Sequence, residues 1–311
     1  MLARDADSCY WIGRYVERAE AMARIVDVHY HASLESGNAA GRWSRLIGVL
    51  GGDSGDVLAD DRRAFHWFAF DPSNPDAIVP VWGRARENAR TMREQISSEM
   101  WEALNVAWLE LREWDVDKVF ASSPDHFFTK VRNASHLFQG ILSRTMLFDE
   151  GRDWLDAGRF LERAGQTVRQ LSVCVGESVS YDPPVETGAL FVDRGWTAAL
   201  RSASGLEMYR KAHPAGIDPV RIVDFLVLDE RFPASVRHAI REVDGCLHRI
   251  SGGREGTPTC RSERLCGRLE ADLAYAEPGS LQGPGLPDQL AKLMDRIDSI
   301  GEAILADYLQ Y

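Results

Sequence analysis

The chain has 311 residues, of which 45% are hydrophobic and 27% are charged, so it can bury a substantial core. Its 47 acidic and 36 basic residues give a formal net charge of -11 at pH 7, which disfavours binding to nucleic acid and to anionic membrane lipids. The five cysteines have neither metal-site nor C-x-x-C spacing, acidic residues lie among the first seven residues, and no long apolar run is present. These three features predict a cytoplasmic protein without a membrane segment.

Apolar residues recur at every third or fourth position along most of the chain, which predicts helices. Four loops are expected where Gly, Ser, Pro and Asp cluster, at 36–62, 177–192, 251–261 and 276–287. No alternating pattern long enough for a sheet interrupts the helical pattern, so we expect an all-α helical bundle. In chain order, the predicted helices cover 11–30, 82–112, 126–148, 154–175, 196–212, 218–228, 233–250, 262–275 and 288–310.

Two parts of the chain carry similar sequences in the same order. Residues 13–28 read GRYVERAEAMARIVDV, and residues 158–173 read GRFLERAGQTVRQLSV, at a constant offset of 145. Residues 67–78 and 225–236 correspond in the same way, each with an aspartate four positions before a proline. This order predicts one domain over 1–311, built from two diverged tandem repeats of approximately 1–145 and 146–311.

The aspartate-to-proline element of the second block has a simple structural interpretation. Asp71 and Asp229 are expected to close one helix in each repeat. Proline lacks a backbone N–H and has a fixed φ, which suits the first turn of a helix. Pro75 and Pro233 are therefore expected to open the next helix.

The first block contains the most distinctive motif, G-R-[YF]-x-E-R-A. In the first copy, Arg14 and Arg18 lie on adjacent helical turns, and Glu17 is expected to contact another helix or a nearby arginine. Two interpretations remain open: an Arg–Glu network that holds helices together, and an anion site in which paired guanidinium groups bind a carboxylate or phosphate. The second copy places the same residue types at Arg159, Glu162 and Arg163.

A second group of candidate binding residues lies on the segment 84–105, which is expected to be one long helix. Its N-terminal half carries arginines interleaved with acidic and amide side chains. Its C-terminal half carries short polar side chains on one stripe, which is compatible with either a solvated face or a pocket lining. The candidates on this segment are Arg86, Glu87, Asn88, Arg90, Ser98, Glu99, Glu102 and Asn105.

Common catalytic and metal-binding patterns are missing from the sequence. The eight histidines and five cysteines do not cluster at ligand spacing, and His29-x-His31 would point its rings to different sides of a helix. No G-x-S-x-G, P-loop or Glu-x-x-His motif of di-iron bundles is present in a suitable context. We therefore predict no metal, no cofactor of its own and no assigned catalytic residue.

Four stretches of the sequence together resemble the Alpha-E family over nearly the full length. These are SCYWIGRYVERAEAMARIVDV near the start, ARENARTMREQISSEMWEALN at 85–105, TMLFDEGRDWLDAGRFLERAGQTVRQL at 145–171, and residues 200–240. The resemblance implies a helical partner of a circularly permuted ATP-grasp protein, in a neighbourhood that often includes a transglutaminase-like protein. It also implies ATP-driven amide or peptide ligation, with ATP and Mg used by the partner. The Gly/Asp-rich loop at 48–61 is longer than the family pattern leads us to expect, and Arg152-Asp153 adds charge before Trp154.

Three functions are compatible with these observations. The chain is expected to be an accessory or substrate-positioning subunit of the ligation system. Alternatively, it is an enzyme in its own right with an Arg/Glu-lined pocket, in which Glu17 or Glu102 acts as a general base, or it is a purely structural scaffold. A carboxylate beside guanidinium groups has a depressed pKa and is a poor base at neutral pH, which favours the accessory subunit over the enzyme.

Overall fold

A computed structural model of the chain describes residues 1–36, 43, 44, 46–48, 50, 60–179, 188–254 and 256–310. Within these residues the secondary structure is helical and contains no strand, which confirms the predicted all-α class. A π-helical turn at Leu305–Leu309 follows the last α-helix. The α-helices with described bounds are α1 Ala3–Ser36, α2 Asp61–Ala69, α3 Ile78–Thr91, α4 Ser98–Leu111, α5 Val116–Ser122, α6 Pro124–Thr145, α7 Glu150–Val179, α8 Gly188–Ser202, α9 Leu206–Ala212, α10 Pro219–Val227, α11 Val236–Ser251, α12 Arg261–Ala274 and α13 Leu286–Ile304.

Helices α1 and α7 form the centre of the bundle. Helices α3 and α6 pack against α1, α11 and α13 pack against α7, and α8 contacts both central helices. The buried side chains form one continuous cluster that includes Trp82, Trp154 and Phe65. Among the described residues, no helix has both the length and the apolar character needed to span a bilayer.

Glycine allows α1 and α7 to cross at very short range. A Cβ added at Gly13 would lie 2.9 Å from the backbone nitrogen of Arg159 and closer still to the carbonyl oxygen of Leu155. A Cβ added at Gly158 would lie 2.9 Å from the carbonyl carbon of Tyr10 and closer still to its oxygen. The first residue of each G-R-[YF]-x-E-R-A motif therefore permits backbone-to-backbone contact at the crossing.

The turns that follow α2 and α10 are closed by equivalent hydrogen bonds. Asp71 Oδ1 accepts a hydrogen bond from the backbone N–H of Ser73 at 2.8 Å, and Asp229 Oδ1 accepts one from the backbone N–H of Arg231 at 3.0 Å. Each aspartate lies just beyond a helix end, which confirms that part of the prediction. Such Asx turns are a common way for the chain to leave a helix.

The prediction that Pro75 and Pro233 open the next helices is wrong. The following helices α3 and α11 begin three residues later, at Ile78 and Val236. Each proline occupies the second position of a backbone turn that is closed by a hydrogen bond between the first and fourth residues. Proline suits this position because its fixed φ matches that of a type I or II turn.

Two predicted helices are each divided into two. The segment 82–112 is interrupted after α3, because Ser97 caps a new helix by accepting a hydrogen bond from the backbone N–H of Met100 at 3.2 Å. The expected continuous helix over 84–105 is therefore wrong. The segment 196–212 is interrupted at Ser204, whose φ of 56° lies in the left-handed region that ends α8.

Other differences concern short helices and loops. The periodic pattern does not reveal α2 and α5, which are short and begin after the capping residues Asp60 and Asp115. Both ends of the predicted loop 177–192 are helical, since α7 continues to Val179 and α8 begins at Gly188, and the residues between them lie outside the described ones. Most of the predicted loop 36–62, including the Gly/Asp-rich stretch, lies outside the described residues.

Candidate functional site

The two Glu-Arg pairs of the repeated motif bind each other across the α1–α7 crossing. Arg18 donates through Nε and Nη2 to the two carboxylate oxygens of Glu162, at 2.8 and 2.9 Å. Arg163 donates through Nε and Nη2 to the two carboxylate oxygens of Glu17, at 2.5 and 2.8 Å. Both contacts are bidentate, which gives a guanidinium–carboxylate pair its strongest geometry. Glu17 thus reaches a second helix, as its position on α1 predicts.

Glu162 lies at the centre of one half of this network and is only 1% exposed. Its carboxylate also accepts hydrogen bonds from Arg14 Nε at 2.8 Å and from Gln166 Nε2 at 2.9 Å. Burial alone would raise the pKa of Glu162, but the guanidinium groups of Arg18 and Arg14 outweigh burial and hold this pKa well below its ordinary value. The fork formed by Arg14 and Arg18 is therefore filled by the protein's own carboxylate.

The Glu17 half of the network is built differently. Arg159, the equivalent of Arg14 in the second motif, pairs with Asp156 through Nη2 and Oδ1 at 2.8 Å. The second donor to Glu17 is instead Gln139 on α6, which donates to Glu17 Oε2 at 3.1 Å. The Glu17 carboxylate is thus held by one arginine and one neutral amide, whereas Glu162 is held directly by two arginines.

A cleft of about 290 Å³ opens beside Glu17 and Arg163. Its walls come from α1, α6 and α7, together with the end of α8 and the turn before α11. This volume is near the lower end of the range for small-molecule sites. Apart from Glu17 and Arg163, the polar part of the lining includes Glu20, Arg24, His136, Gln139, Gln166 and Gln170.

Glu20 anchors the charged wall of the cleft. Its Oε1 accepts a hydrogen bond from Arg24 Nε at 2.8 Å and lies 3.2 Å from His136 Nε2. Burial alone would raise the pKa of Glu20, but the hydrogen bonds from His136 and Arg24, with the charge of Arg24, lower it to about 2. Glu20 is therefore ionised at neutral pH and holds the side chains of Arg24 and His136 in place.

Two glutamines whose side-chain carbonyl oxygens are buried line the cleft. Gln166 and Gln170 are 3% and 6% exposed, and within the described part of the chain their Oε1 atoms have no hydrogen-bond partner. Their Nε2 atoms donate to the Glu162 carboxylate at 2.9 Å and to the Ser202 carbonyl oxygen at 3.5 Å. Both of these partners only accept, so the amide orientation is fixed and Oε1 is the unpaired atom. Leaving a buried acceptor unpaired costs about 1–3 kcal/mol, so each of these oxygens would gain from a hydrogen-bond donor that the described residues do not supply.

The family described as a predicted alpha-helical domain with a conserved ER motif matches residues 1–309. The chain belongs to the Alpha-E family. Its two ER sequences, Glu17-Arg18 and Glu162-Arg163, are the pairs that exchange partners across the helix crossing. The predicted resemblance is therefore confirmed over nearly the whole chain.

Curated relatives of the Alpha-E chain occur in mycobacteria. An uncharacterized protein of Mycobacterium bovis is 22% identical over 315 residues, which cover 92% of this chain and 34% of the relative. Two uncharacterized proteins of Mycobacterium tuberculosis match with the same identity and coverage. The Alpha-E chain thus spans about a third of the length of these relatives. No solved structure matches it significantly.

The candidate residues on the segment 84–105 lie on α3 and α4 and are separate from the described lining of the cleft. Arg86 donates to Asn105 Oδ1 at 2.9 Å, and its guanidinium group stacks on the rings of Trp101 and Trp108. Glu87, which bridges Arg86 and Arg90, is more than half exposed. Asn88 on α3 is half-buried. Ser98, Glu99 and Glu102 are exposed, so the polar stripe interpreted as a pocket lining forms part of the α4 surface. Ligand binding by this group stays a prediction.

Sequence reasoning missed most of the residues around the cleft. Gln166 and Gln170 nevertheless leave a signal, because they follow Glu162 at four-residue spacing along α7. At the sequence offset of 145, the first copy of the motif is followed by Ala21 and Ile25, so the polar row accompanies only the second copy. His136 and Gln139 carry no comparable signal, because only the packing of α6 against α1 brings them to the cleft.

The depressed pKa of Glu20 predicts a pH-dependent contribution to stability in the Alpha-E chain. This contribution is fully present above the ordinary value of 4.5 and is lost as the pH falls through the folded value of about 2. We expect Glu20→Gln to lower the free energy of unfolding by about 1–3 kcal/mol at neutral pH and by much less near pH 2. Urea titrations at several pH values measure both differences. The exposed Glu99→Gln on α4 serves as the control, and an effect of Glu20→Gln that is constant with pH would contradict the assignment.

Proposed function

We propose that the Alpha-E chain is a substrate-positioning subunit of an ATP-grasp-dependent amide or peptide ligation system. The observation that carries this proposal is the polar cleft beside Glu17 and Arg163, in which two buried glutamine oxygens await hydrogen-bond donors. The walls of the cleft are fixed by bidentate ion pairs between two long helices. A rigid site with unsatisfied polar groups is suited to holding a ligand in one orientation.

The charged groups of the cleft support positioning more than catalysis. Glu17 is clamped by Arg163, and Glu20 is clamped by Arg24 and His136. The depressed pKa of Glu20 makes it a weak base and leaves it without a proton to donate at neutral pH. Glu102, the other carboxylate considered as a general base, is exposed on α4. These features favour a binding subunit over an enzyme in its own right.

The unpartnered oxygens also favour a binding subunit over a purely structural scaffold. A scaffold would gain stability from replacing such oxygens with apolar groups, so their presence needs another explanation. The length of the mycobacterial relatives supports a role alongside further polypeptide, since the Alpha-E region makes up about a third of each. We propose a circularly permuted ATP-grasp protein as the partner, with ATP and Mg bound there and a transglutaminase-like protein as a further associate. Because ligation consumes ATP, we place the complex in the cytoplasm.

We also propose that the fold arose by tandem duplication. The sequence offset that relates Glu17 to Glu162 also relates Arg18 to Arg163, and these residues form two reciprocal ion pairs. The same offset relates the two glycines at the crossing, each of which faces a carbonyl oxygen at an equivalent position. Duplication followed by divergence explains why only one repeat carries the glutamine row.

Gentle affinity purification from the native cells, with mass spectrometry of co-eluting proteins, tests the proposed function. We expect stoichiometric recovery of an ATP-grasp protein with the wild-type chain. The variant Gln170→Leu should recover the same partner, because it changes the cleft and not the outer surface of the bundle. Recovery of the chain alone, even after mild cross-linking, would contradict the subunit role.

A further inference from the structure

The hydrogen-bonding groups of the cleft are unevenly distributed between donors and acceptors. Arg163 uses Nε and Nη2 on Glu17, and Arg24 uses Nε and Nη2 on Glu20. In contrast, the Oε1 atoms of Gln166 and Gln170 are buried and have no partner among the described residues. The inner part of the cleft therefore offers acceptors and requires a ligand that supplies N–H or O–H donors.

Gln166 and Gln170 lie on one side of α7, since they are four residues apart on the same helix. A hydroxyl group has one hydrogen and satisfies one oxygen at a time. An ammonium group has three N–H donors and no acceptor, so it can donate to more than one oxygen at the same time. In the wall of the same cleft the carboxylates of Glu17 and Glu20 are paired with Arg163 and Arg24, so no unpaired cationic group among the described lining residues opposes the positive charge of an ammonium group.

A carboxylate or phosphate group fits this part of the cleft poorly. It has no N–H or O–H group to donate to the two carbonyl oxygens, and Arg163 and Arg24 in the cleft wall are already paired with Glu17 and Glu20. The arginine fork that could bind an anion, Arg14 with Arg18, is already filled by Glu162. The interpretation of the motif as an anion site is therefore disfavoured by its own internal pairing.

We infer that the cleft binds a primary ammonium group, as carried by a free α-amino acid or by the amino terminus of a peptide, with Gln166 and Gln170 accepting its hydrogen bonds. This inference rests on the proposed function, in which the bound amine is the acceptor of the new amide bond. Gln166 and Gln170 are then binding residues that select an amine over an acylated amine.

Isothermal titration calorimetry of the isolated full chain tests the inference with three small probes. L-Alanyl-L-alanine and L-alanine both carry the ammonium group, and N-acetyl-L-alanine lacks it. We expect at least one amine to bind, and we expect acetylation to weaken binding by about tenfold or more. Tighter binding of the dipeptide would identify a peptide terminus as the ligand, and tighter binding of alanine would identify a free amino acid. Failure of both amines to bind, or equal binding of the acetylated probe, would overturn the inference.

The variant Gln170→Leu separates a ligand-binding role from a structural one. Because it removes an unpaired oxygen and one long hydrogen bond, the 3.5 Å contact from Gln170 Nε2 to the Ser202 carbonyl oxygen, we expect little change in melting temperature together with about tenfold weaker amine binding. Gln289→Leu on α13 is the matched control, since it also removes a buried oxygen that lacks a partner among the described residues, but outside the cleft. This control should bind the amine like the wild type. A lower melting temperature of Gln170→Leu with unchanged amine binding would show that Gln170 is structural.

The calorimetric result is independent of the partner protein. If calorimetry shows no selective amine binding while an ATP-grasp protein still co-elutes, the amine inference is overturned and the subunit role stands. If the chain binds amines selectively but recovers no partner protein, the subunit role is overturned and the amine inference stands.

Discussion

Glu162→Gln is expected to lower the free energy of unfolding by about 3–5 kcal/mol, because it leaves buried guanidinium groups without their carboxylate. Arg14 and Arg18 both bind Glu162, and their side chains are only 15% and 13% exposed. The substitution keeps the volume of the side chain but removes its charge. Chemical denaturation monitored by far-UV circular dichroism measures the loss.

An exposed ion pair provides the control for this prediction. Glu87→Gln breaks a contact with Arg90 on α3, where both side chains are more than half exposed. Surface pairs of this kind contribute about 0–1 kcal/mol. If Glu162→Gln proved as mild as Glu87→Gln, the central network would not be holding α1 against α7.

Gly13→Ala is expected to destabilise the protein by about 3 kcal/mol or more, at the upper end of the effects of overpacking. The added Cβ would lie 2.9 Å from the backbone nitrogen of Arg159 and closer still to the carbonyl oxygen of Leu155. Backbone atoms within a helix cannot move aside singly, so α1 and α7 would have to separate. That separation would also lengthen the Glu–Arg contacts on both sides of the crossing. The shift in denaturation midpoint, at constant m-value, measures the effect.

A substitution that stabilises the protein is expected at a glycine with open space around it. Gly140 lies on the exposed side of α6, and no atom lies within 4 Å of the position of an added Cβ. Gly140→Ala should stabilise the protein by about 0.5–1 kcal/mol, because alanine loses less conformational freedom in a helix. If Gly13→Ala and Gly140→Ala changed the free energy of unfolding by similar amounts, the α1–α7 crossing would have room for a methyl group.

The helical class and most helices follow from apolar periodicity, because a buried stripe requires a side chain every third or fourth residue. Apolar periodicity does not locate a break between two helices when the same apolar spacing continues after the break. Ser97 therefore divides a predicted helix through a capping hydrogen bond that competes with helix continuation. Pro75 illustrates a second ambiguity, since the same fixed φ suits a helix start and a β-turn.

The repeated motif predicts that Glu17 reaches outside its own helix, but it does not identify its partner. That identity depends on the distance and angle of the α1–α7 crossing, which Gly13 and Gly158 permit. The cleft is harder still to predict, because Glu20 and His136 come together only through the packing of α6. A tertiary contact of this kind leaves no periodic signal in either segment.

The most direct test of the proposed ligand site is a crystal structure of the chain with L-alanyl-L-alanine. We expect the terminal ammonium nitrogen to lie about 3 Å from Oε1 of Gln166 and Gln170, with the Glu17–Arg163 pair unchanged. A dipeptide bound elsewhere, or an empty cleft at a concentration that saturates the chain in solution, would contradict the assignment of this cleft as the ligand site.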